Sequence, residues 1–113
     1  MSGLSTHVLD TAGGRPAAGV GVVLEIGGAG SWRELARAAT DRDGRCAELL
    51  PSGTPLEPAT YRLTFATGAY FAGQGTTSFY PQVAVVFEVR DPSEHHHVPL
   101  LLSPFGYSTY RGS

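Results

Sequence analysis

Apolar residues recur at every second position in two seven-residue stretches, VGVVLEI at 20–26 and VAVVFEV at 83–89. In the first, Val20, Val22, Leu24 and Ile26 fall on one side, with Gly21, Val23 and Glu25 opposite. In the second, Val83, Val85, Phe87 and Val89 face away from Ala84, Val86 and Glu88. Side chains of a strand alternate between two faces, whereas a helix repeats every 3.6 residues, so this period marks half-buried strands. Residues 61–66 follow the same rule, with Tyr61, Leu63 and Phe65 together. Sheets apolar on one face must bury that face against another layer.

Turn chemistry divides the rest of the chain. Residues 11–19 (TAGGRPAAG), 27–30 (GGAG), 91–93 (DPS) and 103–106 (SPFG) read as loops or turns, and 41–44 (DRDG) ends in the Asp-Gly pair of a tight turn. The GGAG is no phosphate cradle, because neither a helix nor a lysine follows at the required spacing. Three prolines at 51–58 (PSGTPLEP) demand an irregular connection. Residues 4–10, 45–50 and 96–102 complete the strands, and 107–111 form a last short segment. Residues 31–40 (SWRELARAAT) fit two periods: Ser31 and Glu34 would make a helical capping box, while Trp32, Glu34, Ala36 and Ala38 alternate as in a strand. Their place between strand signals favours the strand. Residues 67–75 (TGAYFAGQG) suit one or two helical turns, with Thr67 as the cap. About seven or eight short strands and one short helix predict an all-β fold, an antiparallel β-sandwich of two sheets. With 113 residues and neither an internal repeat nor a linker, the expectation is one domain over 1–113.

Composition excludes several partners. A net charge of −2 gives no basic footprint for nucleic acid or an anionic membrane. No apolar run approaches the ~18 residues of a membrane span, and no charged-then-apolar leader opens the chain. Cys46 is the one cysteine, so no intrachain disulfide can form and a reducing compartment is expected. The final Arg-Gly-Ser is no peroxisomal tripeptide. These features predict a cytoplasmic protein. A domain this small buries roughly two thirds of its unfolded surface, so association would help it.

Candidate chemistry gathers in residues 95–113, HHHVPLLLSPFGYSTYRGS. A dispensable tail is usually small and polar; this one carries Tyr107, Tyr110 and Arg111. In an extended segment His95 and His97 share one face, and His96 lies on the other with Val98, Leu100 and Leu102. Two histidines alone do not hold zinc, and no third ligand clusters nearby, so no metal is expected. Histidine suits acid–base work near neutrality. His7 stands inside the first strand and Arg45 follows the Asp-Gly turn. Tyr110 and Arg111 could clamp a planar, electron-poor heterocycle with a ring face, a hydroxyl and fixed guanidinium donors. Neither a Gly-x-Ser-x-Gly elbow nor a Cys–His motif supports covalent catalysis.

Three segments taken together carry a resemblance: LSTHVLD at 4–10, Asp43-Gly44-Arg45, and HVPLLLSP with YSTYRGS at 97–113. In this order and at this length they resemble the 5-hydroxyisourate hydrolases of the transthyretin-like family. The terminal Tyr-Arg-Gly-Ser is the most specific part, since transthyretin shares the Leu-Leu-Ser-Pro segment and not this ending. The resemblance implies a transthyretin-like sandwich assembled as a homotetramer, with sites where dimers meet. It implies hydrolysis of 5-hydroxyisourate to 2-oxo-4-hydroxy-4-carboxy-5-ureidoimidazoline in urate breakdown, without cofactor or metal. By the same likeness His7, Arg45 and His97 are catalytic. Arg45, Tyr110, Arg111, Gly112 and Ser113 bind substrate, and the Ser113 hydroxyl or terminal carboxylate positions water or a ring N–H. His96 departs from the family pattern, which more often has an aromatic such as tyrosine there. The alternative is a non-catalytic carrier of a small aromatic ligand, whose channel would replace the polar set with apolar or bulky side chains.

Overall fold

The alternating stretches become strands because each can bury one face against the other sheet. The computed structural model describes residues 3–28, 30–50 and 54–113. Along the chain run β1 (Gly3–Asp10), β2 (Arg15–Pro16), β3 (Gly21–Gly28), β4 (Ser31–Ala39), β5 (Arg45–Cys46), β6 (Ala59–Phe65), helix α1 (Thr67–Ala72), β7 (Val83–Val89), β8 (His95–Ser103) and β9 (Gly106–Thr109). One sheet is antiparallel in the order β4-β3-β6-β7; the other runs β2-β1-β8-β9, with β5 also paired to β1. The architecture is the two-layer all-β sandwich with one short helix.

Parity decides what fills the space between the sheets. Leu24 pairs with Leu63, and Leu63 with Val85, across three adjacent strands, and all three are buried. From the other sheet Leu4 and Val8 of β1 and Val98, Leu100 and Leu102 of β8 complete the core. Burying each such side chain stabilises the fold by about 1.5–3 kcal/mol. Tyr61 also ties down the loop before β6: its hydroxyl donates to the Glu57 carbonyl at 2.9 Å and accepts from the Glu57 N–H at 3.1 Å.

Several boundaries differ from the sequence expectation. Residues 31–40 are strand, as their position favoured, with β4 covering Ser31–Ala39. Residues 45–50 were expected to pair throughout, yet only Arg45–Cys46 does; beyond it the Leu49 N–H still reaches the Leu4 carbonyl at 3.0 Å. Thr67 does not cap α1. Ala66 holds that position, and the Thr67 hydroxyl is buried without a partner among the described residues. The two-residue β2 lies within the predicted loop 11–19. Of the expected 27–30 turn, Ala29 lies outside the described residues, as do Pro51, Ser52 and Gly53 of the expected 51–58 connection. Residues 54–58 are irregular, as the prolines require. One feature alternation does not reveal is strand direction: β1 and β8 pair in parallel over eight positions, from Gly3 opposite His95 to Asp10 opposite Leu102.

Candidate active site

The parallel register of β1 and β8 builds the site. It sets Gly3 beside His95, Ser5 beside His97 and His7 beside Pro99. Residues of equal parity in register share a face, so Ser5, His7, His95 and His97 all stand on the side of the sheet away from the core. The opposite edge of β1 carries β5, with His7 opposite Arg45. Three sequence-distant segments thus deliver one candidate residue each, His7, Arg45 and His97, to neighbouring strands. His96 turns inward as parity predicts: it is buried, and its Nδ1 donates to the Glu94 carbonyl at 3.0 Å.

Each member of this cluster has a defined support. The Asp41–Gly44 turn presents Arg45: Asp41 Oδ1 accepts the Asp43 N–H at 2.9 Å and the Arg45 N–H at 3.0 Å, which lowers the Asp41 carboxyl below its ordinary range. His7 Nε2 lies 2.8 Å from the Asp43 carbonyl. A carbonyl only accepts, so Nε2 carries the hydrogen and neutral His7 keeps Nδ1 bare. Arg45 is exposed and makes no ion pair among the described residues.

His97 is half-buried. Burial of its ring holds it below the ordinary imidazole value; the basic neighbours His7, His95 and Arg45 push the same way, and only the Ser5 backbone opposes. Its Nδ1 is engaged with Ser5 Oγ at 2.8 Å, so Nε2 is the nitrogen left to exchange a proton with substrate or water. Gly112 covers the ring. Its N–H donates to the His97 carbonyl at 2.8 Å, and a Cβ there would stand 2.5 Å from His97 Cδ2. Only glycine lets the chain pass that close.

The remaining predicted residues sit differently. Tyr110 and Arg111 line a cleft of about 260 Å³ together with His96, His97 and Val86, and His7 and Arg45 are not part of that lining. The cleft is mostly apolar, whereas the polar cluster on the sheet face has the groups hydrolysis needs, so the cluster is the better candidate for the chemistry. The Arg111 guanidinium donates to Glu94 at 3.2 Å, Tyr110 is exposed, and Ser113 is exposed. The chain thus gathers His7, Arg45, His97 and Gly112, and leaves Tyr110, Arg111 and Ser113 at the edge of the cluster. No group of three His, Cys, Asp or Glu side chains among the described residues is placed to hold a metal ion. Sequence reasoning missed Ser5, which bonds both His95 and His97. Parity places it on the strand face of His7, and only the β1–β8 register sets it between the two histidines.

Comparison with known proteins gives the family. Residues 4–112 match the model of the HIUase/Transthyretin family. The chain is 48% identical over 114 residues to 5-hydroxyisourate hydrolase of Mus musculus, covering 99% of this chain and 96% of that relative. It superimposes with a TM-score of 0.87 on Klebsiella pneumoniae 5-hydroxyisourate hydrolase, at 42% identity over 99% of this chain and 100% of that one. Sea bream transthyretin in complex with thyroxine gives the same TM-score of 0.87 at 34% identity, covering 96% of this chain and 93% of that one. A family match over nearly the whole chain, and relatives of matching length, leave one conclusion: the chain belongs to the HIUase/Transthyretin family.

Proposed function

We propose that this chain is a 5-hydroxyisourate hydrolase of urate breakdown, opening the six-membered ring to give 2-oxo-4-hydroxy-4-carboxy-5-ureidoimidazoline. The observation that carries this assignment is the polar set His7, Arg45 and His97 on one sheet face, in a chain 48% identical to a relative of that name. A carrier of an aromatic ligand does not require two histidines and an arginine that makes no ion pair among the described residues.

Hydrolysis forms a C–O bond from water to a ring carbonyl carbon and breaks the adjacent C–N bond. Water must lose a proton as it attacks, and the leaving nitrogen must gain one. His7 and His97 divide those two transfers, each worth roughly 10²–10⁴-fold in rate. Arg45 binds the substrate and neutralises the oxyanion as it develops, typically a few kcal/mol of transition-state stabilisation. Tyr110, Arg111, Gly112 and Ser113 hold the heterocycle where protomers meet.

The assembly we propose is a cytoplasmic homotetramer of one-domain protomers, acting on its small-molecule substrate without a cofactor. Cys46, the one cysteine and buried, suits a reducing compartment. Support for association comes from the sheet edges. Edge strand β4 carries Arg33, Glu34 and Arg37, charges that discourage pairing, whereas β7 shows one charge, Glu88, and an exposed Val86. Exposed Phe79, Phe105, Tyr107 and Tyr110 extend the apolar surface.

The test follows the ultraviolet absorbance of freshly generated 5-hydroxyisourate with wild type and His97→Ala. Decay should accelerate well beyond the buffer rate and fall at least about 100-fold in the variant. Folded wild type that leaves the buffer rate unchanged would move the assignment to a ligand carrier.

A further inference from the structure

Ser5 stands between two imidazoles. Its Oγ lies 2.8 Å from His95 Nε2 and 2.8 Å from His97 Nδ1, and it makes no other side-chain bond among the described residues. Gly3, opposite His95 in the register, keeps room for this arrangement: at φ +155°, a Cβ there would stand 3.1 Å from His95 Nδ1. The Ser5 side chain is buried, His97 is half-buried and His95 is exposed.

A serine hydroxyl donates one hydrogen and accepts two. The two facing nitrogens therefore cannot both be bare while both bonds hold. With hydrogen on His95 Nε2, Ser5 donates to His97 Nδ1, and neutral His97 presents Nε2–H, an acid. With hydrogen on His97 Nδ1, its Nε2 is bare, a base. The hydroxyl couples the protonation of an exposed histidine to the chemical role of a half-buried one.

We propose that Ser5 and His95 are positioning residues that set the tautomer of His97 and carry charge away from it during hydrolysis, which rests on and deepens the assignment above. As water attacks the ring carbonyl, its proton passes to His97 Nε2. The His97 Nδ1 hydrogen moves to Ser5 Oγ while the Ser5 hydroxyl hydrogen moves to His95 Nε2. The positive charge leaves His97, where burial penalises it, and settles on His95, where water solvates it. His7, entering as the imidazolium with its Nε2–H on the Asp43 carbonyl, gives its Nδ1 proton to the leaving ring nitrogen as the C–N bond breaks. After product leaves, His97 Nε2 releases its proton to water as the two transfers reverse, and His7 reprotonates from solvent. This makes His97 the base and His7 the acid. The charged and titratable groups around His97 are His7 on β1, Arg45 on β5, His95 and His96 on its own strand, and Glu88 of β7, Tyr110 and Arg111 in the cleft; Asp41 and Asp43 stand behind His7 and Arg45.

The test combines histidine ¹⁵N NMR with pH–rate profiles on wild type, Ser5→Ala, Ser5→Thr and His95→Gln. In wild type at pH 7.5 or so, His97 should hold hydrogen on Nδ1 and leave Nε2 bare. Ser5→Ala should release it to a mixed tautomer, lower kcat at least about 10-fold with KM little changed, and shift the acid limb of the profile. Ser5→Thr, which keeps a hydroxyl, should recover most of both. His95→Gln alters an exposed side chain, so the protein should fold normally, and it should reproduce the kcat loss because glutamine cannot take the charge. If the His97 tautomer, its titration and the acid limb are unchanged in Ser5→Ala and His95→Gln, the relay is wrong. The NMR readout decides this even if wild type does not hydrolyse 5-hydroxyisourate, so failure of the activity and failure of the relay are separable.

Discussion

At the residue scale, close approach and ring burial set the site's reactivity. Gly112 lies so near His97 that any side chain must displace the imidazole or the terminal segment, since a Cβ would also meet Pro99 Cγ at 3.3 Å. Displacement of about 1 Å can cost on the order of 10²-fold in rate, so Gly112→Ala should lower kcat by roughly 10–100-fold. Its melting temperature should hardly move, because Gly112 is outside the core. Unaltered kinetics would show that the ring has slack. His97 also fixes a pH dependence. Its folded-state value is lowered, mainly by burial, so the unfolded chain binds the proton more readily. The associated stability is present above the ordinary imidazole value of about 6.5 and is lost as pH falls through the lowered one. The acid limb of the activity profile should accordingly lie below pH 6.5 or so; an acid limb above that value would contradict a base held neutral by burial.

At the element scale the decisive parts are a turn and a register. The 41–44 turn presents Arg45 only because Gly44 adopts φ +78°, with its carbonyl accepting the Val8 N–H at 2.7 Å. A Cβ at Gly44 would collide with the Val8 carbonyl oxygen. Gly44→Ala should therefore cost about 2 kcal/mol or more, roughly 10 °C in melting temperature for a domain of this size, with Arg45 displaced and KM raised. A calorimetric scan matching wild type would refute this strain. Asp-Gly made that turn legible, and alternation made the faces of β1, β3, β6, β7 and β8 legible, because both are local properties. The parallel pairing of β1 with β8 was not, since parity reports which way a side chain points and is silent on strand direction. Ser5 was hidden for the same reason. A serine two residues before His7 acquires meaning only when the register places it between His95 and His97. Thr67 misled in the opposite way: a local capping signal lost to burial of its hydroxyl against the core.

At the scale of the whole molecule, the candidate residues fall in two groups. His7, Arg45 and His97 are grouped on one sheet face, while Tyr110 and Arg111 lie along the β7 and β9 side, beside Val86. Phe79, Tyr80 and Tyr107 form a chain of edge-to-face rings there, with centroids 4.9 and 5.2 Å apart. Exposed apolar side chains of this kind suit association, and β7 is an edge strand among the described residues. Glutamate in place of Val86, which is 57% exposed, adds charge to that edge with little effect on the isolated fold, within about 0.5 kcal/mol for a surface change. If substrate is bound where protomers meet, Val86→Glu should shift sedimentation velocity toward smaller species and lower kcat/KM at least about 10-fold, each 1.4 kcal/mol lost from the contact being tenfold in association. Raising the protein concentration should recover both together, because reassembly restores the site. A folded monomer of Val86→Glu with full activity would show that each chain carries a complete site, and Tyr110 and Arg111 would lose their proposed role.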